Sequence, residues 1–483
     1  MLNTEPASSG LYHKVPLTNV KVWEPCSDSE ASEWLPPLNP DEASSIGYPI
    51  RPKWLHPPSI NRLHVIVQPD GALWPDGCFY LFWCSVVKGL RQSTVANAAG
   101  DLADMMNKFL KADMDYNTFR GIKFERPTYY YTAELKLEIA RGQLTRKVAN
   151  RKISNMTGFY KWKVAERGFK PEAEMWKSEI KNKRYVDSFG CTQVKEVITN
   201  DLTFKNTESI ATGRFIRDGG KLYPIDRVDQ AVLLKALLEL RNPEMLLAHI
   251  LSLTTGMRIQ STLTVRHADV IHGIGSDNDP NKYALYYMEM GEGKLVETKN
   301  GKRQSVAVPA WVHNMLATYV SSKRHQDRAM KSPIRDDDSQ YVFLTRTGRP
   351  YYISQADQHL FDFSAEAGSA IRQYSVKVHT KLRELGARFT YRFHDLRATF
   401  GMNLLEDFIT QQAEGKMNQI ELLDKLKRRL NHEDINVTLA YLRYREDHPQ
   451  LAQAQSEFEA HLEDLIRTRM SDNEQARAKN LRT

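Results

Sequence analysis

Residues 430–444 read LNHEDINVTLAYLRY, which places His432 nine positions before Tyr441 and twelve before Tyr444. Two readings compete. Ala440, Tyr441 and Tyr444 fall on the apolar face of a short amphipathic helix and would serve as packing residues. Alternatively, a histidine and a phenol brought together across one turn can work on a single reacting group. Short spacings are weak by themselves, so the rest of the chain has to decide.

The chain has 483 residues, enough for two to four domains. Hydrophobic content of 41% and charged content of 26% are those of a folded globular protein. The longest apolar run, YLFWCSVV at 80–87, is too short to span a bilayer. The start, MLNTEPASSGLYHKVPL, lacks the charge and apolar pattern of a secretory leader. The expectation is a protein with no membrane partner, working in a cytoplasm. Cys26, Cys78, Cys84 and Cys191 have neither the C-x-x-C spacing of a zinc site nor the density of a disulfide framework. The net charge of +8 permits a polyanionic partner without requiring one. Between Lys136 and Arg184, however, 14 Lys and Arg stand against 5 Asp and Glu, so the positive charge is concentrated.

The first 60 or so residues are rich in Pro, Ser and acidic residues and read as an irregular, partly disordered lead-in. RLHVIVQPDGALWPDGCFYLFWCSVV, 62–87, reads as short strands separated by PDG turns. From Ser93 the spacing of Val95, Leu102, Met105, Met106, Phe109 and Leu110 predicts a helix, with Ser93 or Thr94 as its cap. A second helix carries Val148, Ile153, Met156, Phe159 and Tyr160 inward. Arg146, Lys147, Arg151, Lys152, Lys161 and Lys163 are left outside, interleaved with Tyr160 and Trp162. That face reads as a contact for nucleic-acid phosphates rather than a plain solvated surface. The stretch 171–222, with DGGK at 218–221, reads as mixed and contains a linker. Two apolar helices broken at RNPE follow Tyr223, and then a β-hairpin from KYALYYMEM to SVAVP that turns at KNG. Helices resume through 354–385, 397–430, 434–443 and 450–468. No internal repeat appears.

Four further pieces lie in the second half: Arg258 in TTGMRIQ, Lys299 in ETKNGKR, and His394 with Arg397 in RFHDLRATF. An arginine on an apolar helix usually snorkels, and a hairpin lysine is usually solvated. Taken in order, though, Arg, Lys, His-x-x-Arg, His and, nine residues on, Tyr resemble the tyrosine recombinase family of phage and transposon integrases. TTGMRIQSTLTVRHADV looks like that family's T-G-x-R helix, ending in Asp269. VFLTRTGRPYYI looks like the segment after its hairpin, and HDLRATFGMNLL is close to its second box. The resemblance covers roughly residues 88–455 and not 1–87.

The resemblance implies a mainly α fold with a small antiparallel β-sheet or hairpin (α+β), a two-domain DNA clamp with an N-terminal extension. It implies an extension at 1–87, a helical core-binding domain at 88–175, a linker region at 176–222, a catalytic domain at 223–450, and a tail at 451–483 that contacts a neighbouring protomer. The implied activity is site-specific cleavage and rejoining of double-stranded DNA through a 3′-phosphotyrosyl intermediate, for a mobile element, by a homo-tetramer on DNA. Accessory proteins and the bacterial cytoplasm or nucleoid go with it. No metal and no cofactor are implied. Arg258 and Arg397 would neutralise the pentacovalent phosphorane with planar, permanently charged donors. Tyr441 would be the nucleophile, with Tyr444 as the fallback. Lys299, or else Lys302, would protonate the departing 5′-oxygen, His394 would accept or relay the tyrosine proton, and His432 would donate to a phosphate oxygen.

Four departures stand out, one being extra hairpin residues between Lys299 and Pro309. Ser261 occupies a position that is usually acidic in the family, leaving the support of Arg258 open. Asn431 replaces a glycine, which calls for a left-handed asparagine or a reshaped turn. The segment between Arg397 and His432 is longer than in compact members. A type IB topoisomerase or a protelomerase would use the same phosphate chemistry. A DNA-binding accessory protein without catalysis is the alternative of another kind.

Overall fold

The computed structural model describes residues 10–35, 47–52, 59–186, 192–205, 214–271, 285–361 and 368–447. The chain divides into two units: residues 1–208 with 353–367, and residues 209–352 with 368–483. The fold is mainly helical, with small antiparallel β-sheets.

In the first unit the N-terminal lead-in is more ordered than its composition suggests. Strand β1 (His13–Lys21) pairs antiparallel with β5 (Ser59–Val67), and β2 (Trp23–Pro25), β4 (Tyr48–Pro52) and β3 (Glu33–Leu35) form a small sheet with β4 in the centre. The stretch 62–87, expected as strands throughout, is one strand followed by helix α1 (Pro75–Val86). Its two PDG triplets behave differently. The first lies in the turn after β5, whereas Pro75 opens the helix, where its fixed φ and missing N–H cost nothing, with Asp76 in the first turn.

Helices α2 (Gln92–Lys111), α3 (Pro127–Ala140) and α4 (Arg146–Arg167) complete the unit. Val95, Leu102, Met105, Met106 and Phe109 are buried as their spacing predicts, while Leu110 is 46% exposed and neither Ser93 nor Thr94 caps the helix. Ile66, Trp74, Tyr80 and Leu81 share the core of α2–α4, so the boundary expected at 87/88 does not appear in the packing. Asn61 ties residues 353–361 into the unit, its amide donating to the carbonyls of Gln358 (2.9 Å) and Phe361 (2.7 Å). The region expected as linker contains a regular hairpin, β6 (Ser178–Val186) with β7 (Thr192–Asn200).

The second unit opens with a two-residue-per-strand hairpin, β8 (Ile216–Arg217) and β9 (Lys221–Leu222). Helices α5 (Arg227–Glu239) and α6 (Pro243–Thr255) follow, separated at RNPE. There Asn242 caps α6 by accepting from Met245 N at 3.1 Å, and Pro243 takes the first helical position. After α7 (Ile259–Leu263) and α8 (His267–Ile271) comes the expected hairpin, β10 (Leu285–Met290) with β11 (Gln304–Pro309), and then α9 (Ala310–Val320) and α10 (Lys323–Ala329). The helix expected over 354–385 begins only at α11 (Ser369–Glu384). It is followed by α12 (Asp395–Ala413), α13 (Gln419–Arg429) and α14 (435–447).

Leu233, Leu237, Leu251, Leu263, Phe343, Val378 and Leu396 are among the residues of the main core, each worth roughly 1.5–3 kcal/mol when fully buried. A second core joins Ile216 and Leu222 to Phe400, Leu426, Leu430 and Tyr441. The helix expected at 450–468 and the tail at 451–483 lie outside the described residues. Among the described residues no helix is long and apolar enough to cross a membrane.

Candidate active site

Four side chains from three stretches of the sequence meet at the carboxylate of Asp218, and a fifth, His394, meets the backbone carbonyl of the same residue. Arg258 is the N-cap residue of α7, and the helix start aims its guanidinium at Asp218 Oδ1, 3.3 Å away. His394 is the N-cap residue of α12, and its Nε2 donates to the backbone carbonyl of Asp218 at 3.1 Å. Arg397, 4% exposed, donates from Nε to Asp218 Oδ2 at 2.5 Å. It is held from behind by Nη1 to the carbonyl of Gly256 (2.8 Å) and Nη2 to that of Leu430 (2.5 Å). His432 Nε2 lies 3.1 Å from Asp218 Oδ2, and its Nδ1 lies 3.0 Å from the Thr438 hydroxyl. A carboxylate only accepts, so the ring proton is assigned to Nε2, and Nδ1 accepts from Thr438. The Tyr441 hydroxyl donates to Asp218 Oδ2 at 3.1 Å.

Local chain geometry explains the convergence. Asn431 adopts φ +52°, the left-handed alternative anticipated from sequence, and turns the chain sharply after α13. His432 follows at once, and α14 carries Tyr441 back beside it, with ring centroids 5.7 Å apart. Gly401, one turn beyond Arg397 on α12, makes room: a Cβ there would stand 2.3 Å from Tyr441 Cε1. The β9 end is fastened to α12, with Tyr223 N donating to Asp395 Oδ1 (3.1 Å) and Ile225 N to the Thr399 hydroxyl (2.9 Å).

The electrostatics follow from burial against charge. Burial pushes the Asp218 carboxyl up, but the His432 hydrogen bond and the Arg397 charge outweigh it and hold the group well below the usual carboxylate range. Burial and the neighbouring Asp218 charge raise the Tyr441 phenol well above its ordinary value, with Arg397 and Arg258 pulling the other way. Burial also lowers His394 and His432, which favours neutral rings.

Lys299 is exposed on a short 3-10 turn between β10 and β11 and takes no part in this network. The turn is held by Gln260 Nε2 to the carbonyl of Thr298 (3.4 Å) and Ser261 Oγ to that of Glu297 (2.8 Å). Lys302 pairs with Glu433, the neighbour of His432, at 2.9 Å. Tyr444 is half-buried against the core around Phe400 and is not in the network. Asp269 accepts from Arg266 N at 2.9 Å in its own turn, where burial pushes its carboxyl up to about 6.

The basic face of α4 departs from expectation. Lys163 is 7% exposed, with Asp76 at 2.6 Å and the rings of Tyr116 and Phe169 beneath it. Lys152 pairs with Asp104 at 2.8 Å, and Arg151 holds Asp101 through Nε and Nη2 at 2.9 Å each. Tyr160 and Trp162 are core residues, not stacking platforms. The outward reading failed for Lys163 and in part for Lys152, because hydrophobic spacing does not reveal acids contributed by α1 and α2; Arg151 is paired but exposed. Arg146, Lys147 and Lys161 are exposed.

Sequence reasoning missed Asp218, which was placed in the linker: a DGG turn is too common to single out. It also missed Thr438 and Gly401. Among the described residues no group of three or more His, Cys, Asp or Glu side chains is placed to hold a metal ion.

No family model matches the chain, and no curated protein matches it. Among solved structures, the Tn1549 transposon integrase in complex with transposon right end DNA is 12% identical, covering 78% of this chain and 99% of that one, with TM-score 0.41. A lambda integrase dimer bound to a COC′ core site is 14% identical over 77% of each chain, with TM-score 0.38. XerA recombinase is 11% identical over 78% and 97%, with TM-score 0.28. At TM-scores this low the likenesses decide nothing, and the reading of the site rests on its own geometry.

Proposed function

We propose that the chain cleaves and rejoins DNA as a site-specific recombinase of tyrosine recombinase type. One observation carries this reading: Arg258, Arg397, His432 and Tyr441 converge on a single carboxylate in one unit of the chain, with His394 on the backbone carbonyl of the same residue. Two fixed guanidiniums suit the spread charge of a phosphorane, because they stay protonated and need no reorganisation during the step.

In the proposed reaction the Tyr441 oxygen attacks phosphorus, the P–O5′ bond breaks, and a 3′-phosphotyrosyl bond forms. The tyrosine proton passes to a neighbouring base, with His394 as the assigned relay, and the departing 5′-oxygen takes a proton from Lys299 or Lys302. His432 keeps a proton on Nε2 for a non-bridging oxygen. Burial alone makes Tyr441 a poor nucleophile, and a bound phosphate held by both arginines leaves their charge to favour the phenolate. Reversal by another 5′-hydroxyl rejoins the strand without an outside energy source. The arginines supply the positive charge, so the chemistry asks for no divalent ion.

The exposed Arg146, Lys147 and Lys161 of the first unit serve as DNA-backbone contacts. Strand exchange by a homo-tetramer, a mobile element as the setting, accessory proteins and a place in the bacterial nucleoid belong to the same proposal. An intact set of reacting groups speaks against a purely accessory DNA-binding role. The test is incubation of the full chain with a pool of DNA duplexes, followed by denaturing separation. The proposal expects protein-linked 3′ ends and free 5′-hydroxyls from a defined site, undiminished by EDTA. Relaxation of any supercoiled plasmid without site preference would point to a topoisomerase, and loss of cleavage in EDTA would remove the mechanism.

A further inference from the structure

Asp218 has no task in the reaction as written, yet it receives the donors that matter. Its Oδ2 accepts from Arg397 Nε, His432 Nε2 and the Tyr441 hydroxyl, and its Oδ1 accepts from Arg258. A carboxylate that merely positioned these groups would hold them from behind, but the backs are already held by other atoms. Arg397 is anchored by the carbonyls of Gly256 and Leu430, His432 by Thr438, and Tyr441 by its ring against Gly401. Asp218 therefore lies on the working face, where two non-bridging phosphate oxygens would have to sit. Nor is it a suitable base for Tyr441, because the surrounding donors stabilise its charged form so strongly that it has little appetite for a proton.

We infer that Asp218 is an internal surrogate for the scissile phosphate: the β8–β9 hairpin fills the anion site in the free protein, and its carboxylate must withdraw before DNA can dock. This inference rests on reading the cluster as a phosphate site. A carboxylate and a phosphodiester each present two anionic oxygens on one central atom, so they compete for the same donors. With Asp218 in place Tyr441 is 0% exposed, and its nucleophilic oxygen is spent on a hydrogen bond.

The hairpin is built to let the turn move alone. Ile216 and Leu222, 0% and 1% exposed, fix the two strands in the core. Between them lie Asp218, Gly219 at φ +70°, where an added Cβ would stand 3.5 Å from His394 Nε2, and Gly220, where one would meet nothing within 4 Å. Such a gate keeps a strand-cutting enzyme closed until a correctly seated backbone outcompetes the internal anion. It also holds the arginines and histidines preassembled around an anion in the meantime.

The test titrates inorganic phosphate into the full chain by calorimetry, comparing wild type with Asp218→Ala and with Gly219→Val. The first removes the competing anion. The second keeps every charge and makes the left-handed turn strained, since a β-branched side chain at positive φ is disfavoured. Both variants are expected to bind phosphate at least about tenfold more tightly, because the competent fraction rises. Tetranitromethane should also nitrate Tyr441 faster in both, with phosphate slowing the reaction. Unchanged or weaker phosphate binding in the two variants overturns the surrogate and leaves Asp218 a structural acid. Should Asp218→Ala fail to fold, Gly219→Val decides by the same readout. Tighter phosphate binding in variants that never form a covalent DNA adduct keeps the surrogate and removes the recombinase reading. Adducts from wild type with no gain in either variant do the reverse.

Discussion

The cluster around Asp218 and the basic face of α4 both looked like phosphate sites in the sequence, and they came out differently. Around Asp218, donors from three chain segments, two of them guanidiniums, gather on one acid. Along α4 the cations disperse, with Arg151, Lys152 and Lys163 each taken by an acid of its own unit. The first region was defined by the order and spacing of a family resemblance, with residue types that suit phosphate chemistry. The second was defined by a charge count, which says nothing about where the matching acids fold.

The comparison can be broken most decisively at Arg397. Arg397→Ala leaves Asp218 buried against a missing partner, so a loss of roughly 3–5 kcal/mol in denaturant unfolding is expected. Any residual DNA cleavage should fall at least about a hundredfold. Stability unchanged by this substitution would show that the cluster is not the buried anion site described.

Gly401→Ala removes no reacting group and installs a better helix former, yet its Cβ must displace the ring of the nucleophile Tyr441. Adduct formation should drop by about a hundredfold, as expected when a nucleophile is misplaced by about an ångström, with roughly 1–3 kcal/mol of stability lost to overpacking the buried ring. Full activity would mean that Tyr441 does not react from this position.

On α4 the two kinds of lysine should separate. Lys163→Ala is expected to cost roughly 1–3 kcal/mol, since Asp76 loses its ion pair but keeps the Tyr116 hydroxyl, with the salt dependence of DNA binding unchanged. Lys161→Ala should leave stability alone and reduce the slope of log affinity against log salt by about one. Equal slopes for wild type and Lys161→Ala would withdraw α4 as a backbone contact.

A smaller effect distinguishes the ionisations of the second unit. Burial pushes His249, hydrogen-bonded to the Met245 carbonyl and the Tyr391 hydroxyl, down to about 4, and burial with the nearby His325 charge does the same to His267. Their folded values lie below their unfolded ones, so the unfolded chain binds more protons between the two. Stability is therefore complete above about 6.5 and is lost as pH falls toward about 4. Asp218, also depressed but from a lower starting value, holds its contribution until still lower pH. Unfolding midpoints measured across this range should fall as pH drops and flatten in His249→Gln. A pH-independent midpoint would contradict the burial of these rings.

What could be read from sequence follows the same division. Helices α2, α4 and α6 and the β10–β11 hairpin were legible because apolar periodicity and turn chemistry agree locally, although the cap expected for α2 is not used. Helix α1 was misread because Pro75-Asp76-Gly77 can begin a helix as readily as end a strand. Arg258, His394, Arg397, His432 and Tyr441 were singled out through the order and spacing of a family resemblance, and the fold brings all five to Asp218. Asp218 was not: its importance lies in where a two-residue hairpin delivers it, and no local pattern marks that destination. Ser261 offered the only hint, since an arginine without a nearby acid had to find its counter-charge elsewhere.

The central claim is that Tyr441 itself takes hold of the DNA. The direct measurement uses a duplex library with sulfur bridging phosphorus to the 5′ carbon, so that the expelled thiolate cannot reseal the strand, and maps the trapped adduct by peptide mass spectrometry. The account predicts a nucleotide-bearing peptide modified at Tyr441 and no adduct from Tyr441→Phe. An adduct carried by Tyr444, or one that survives in Tyr441→Phe, would contradict it.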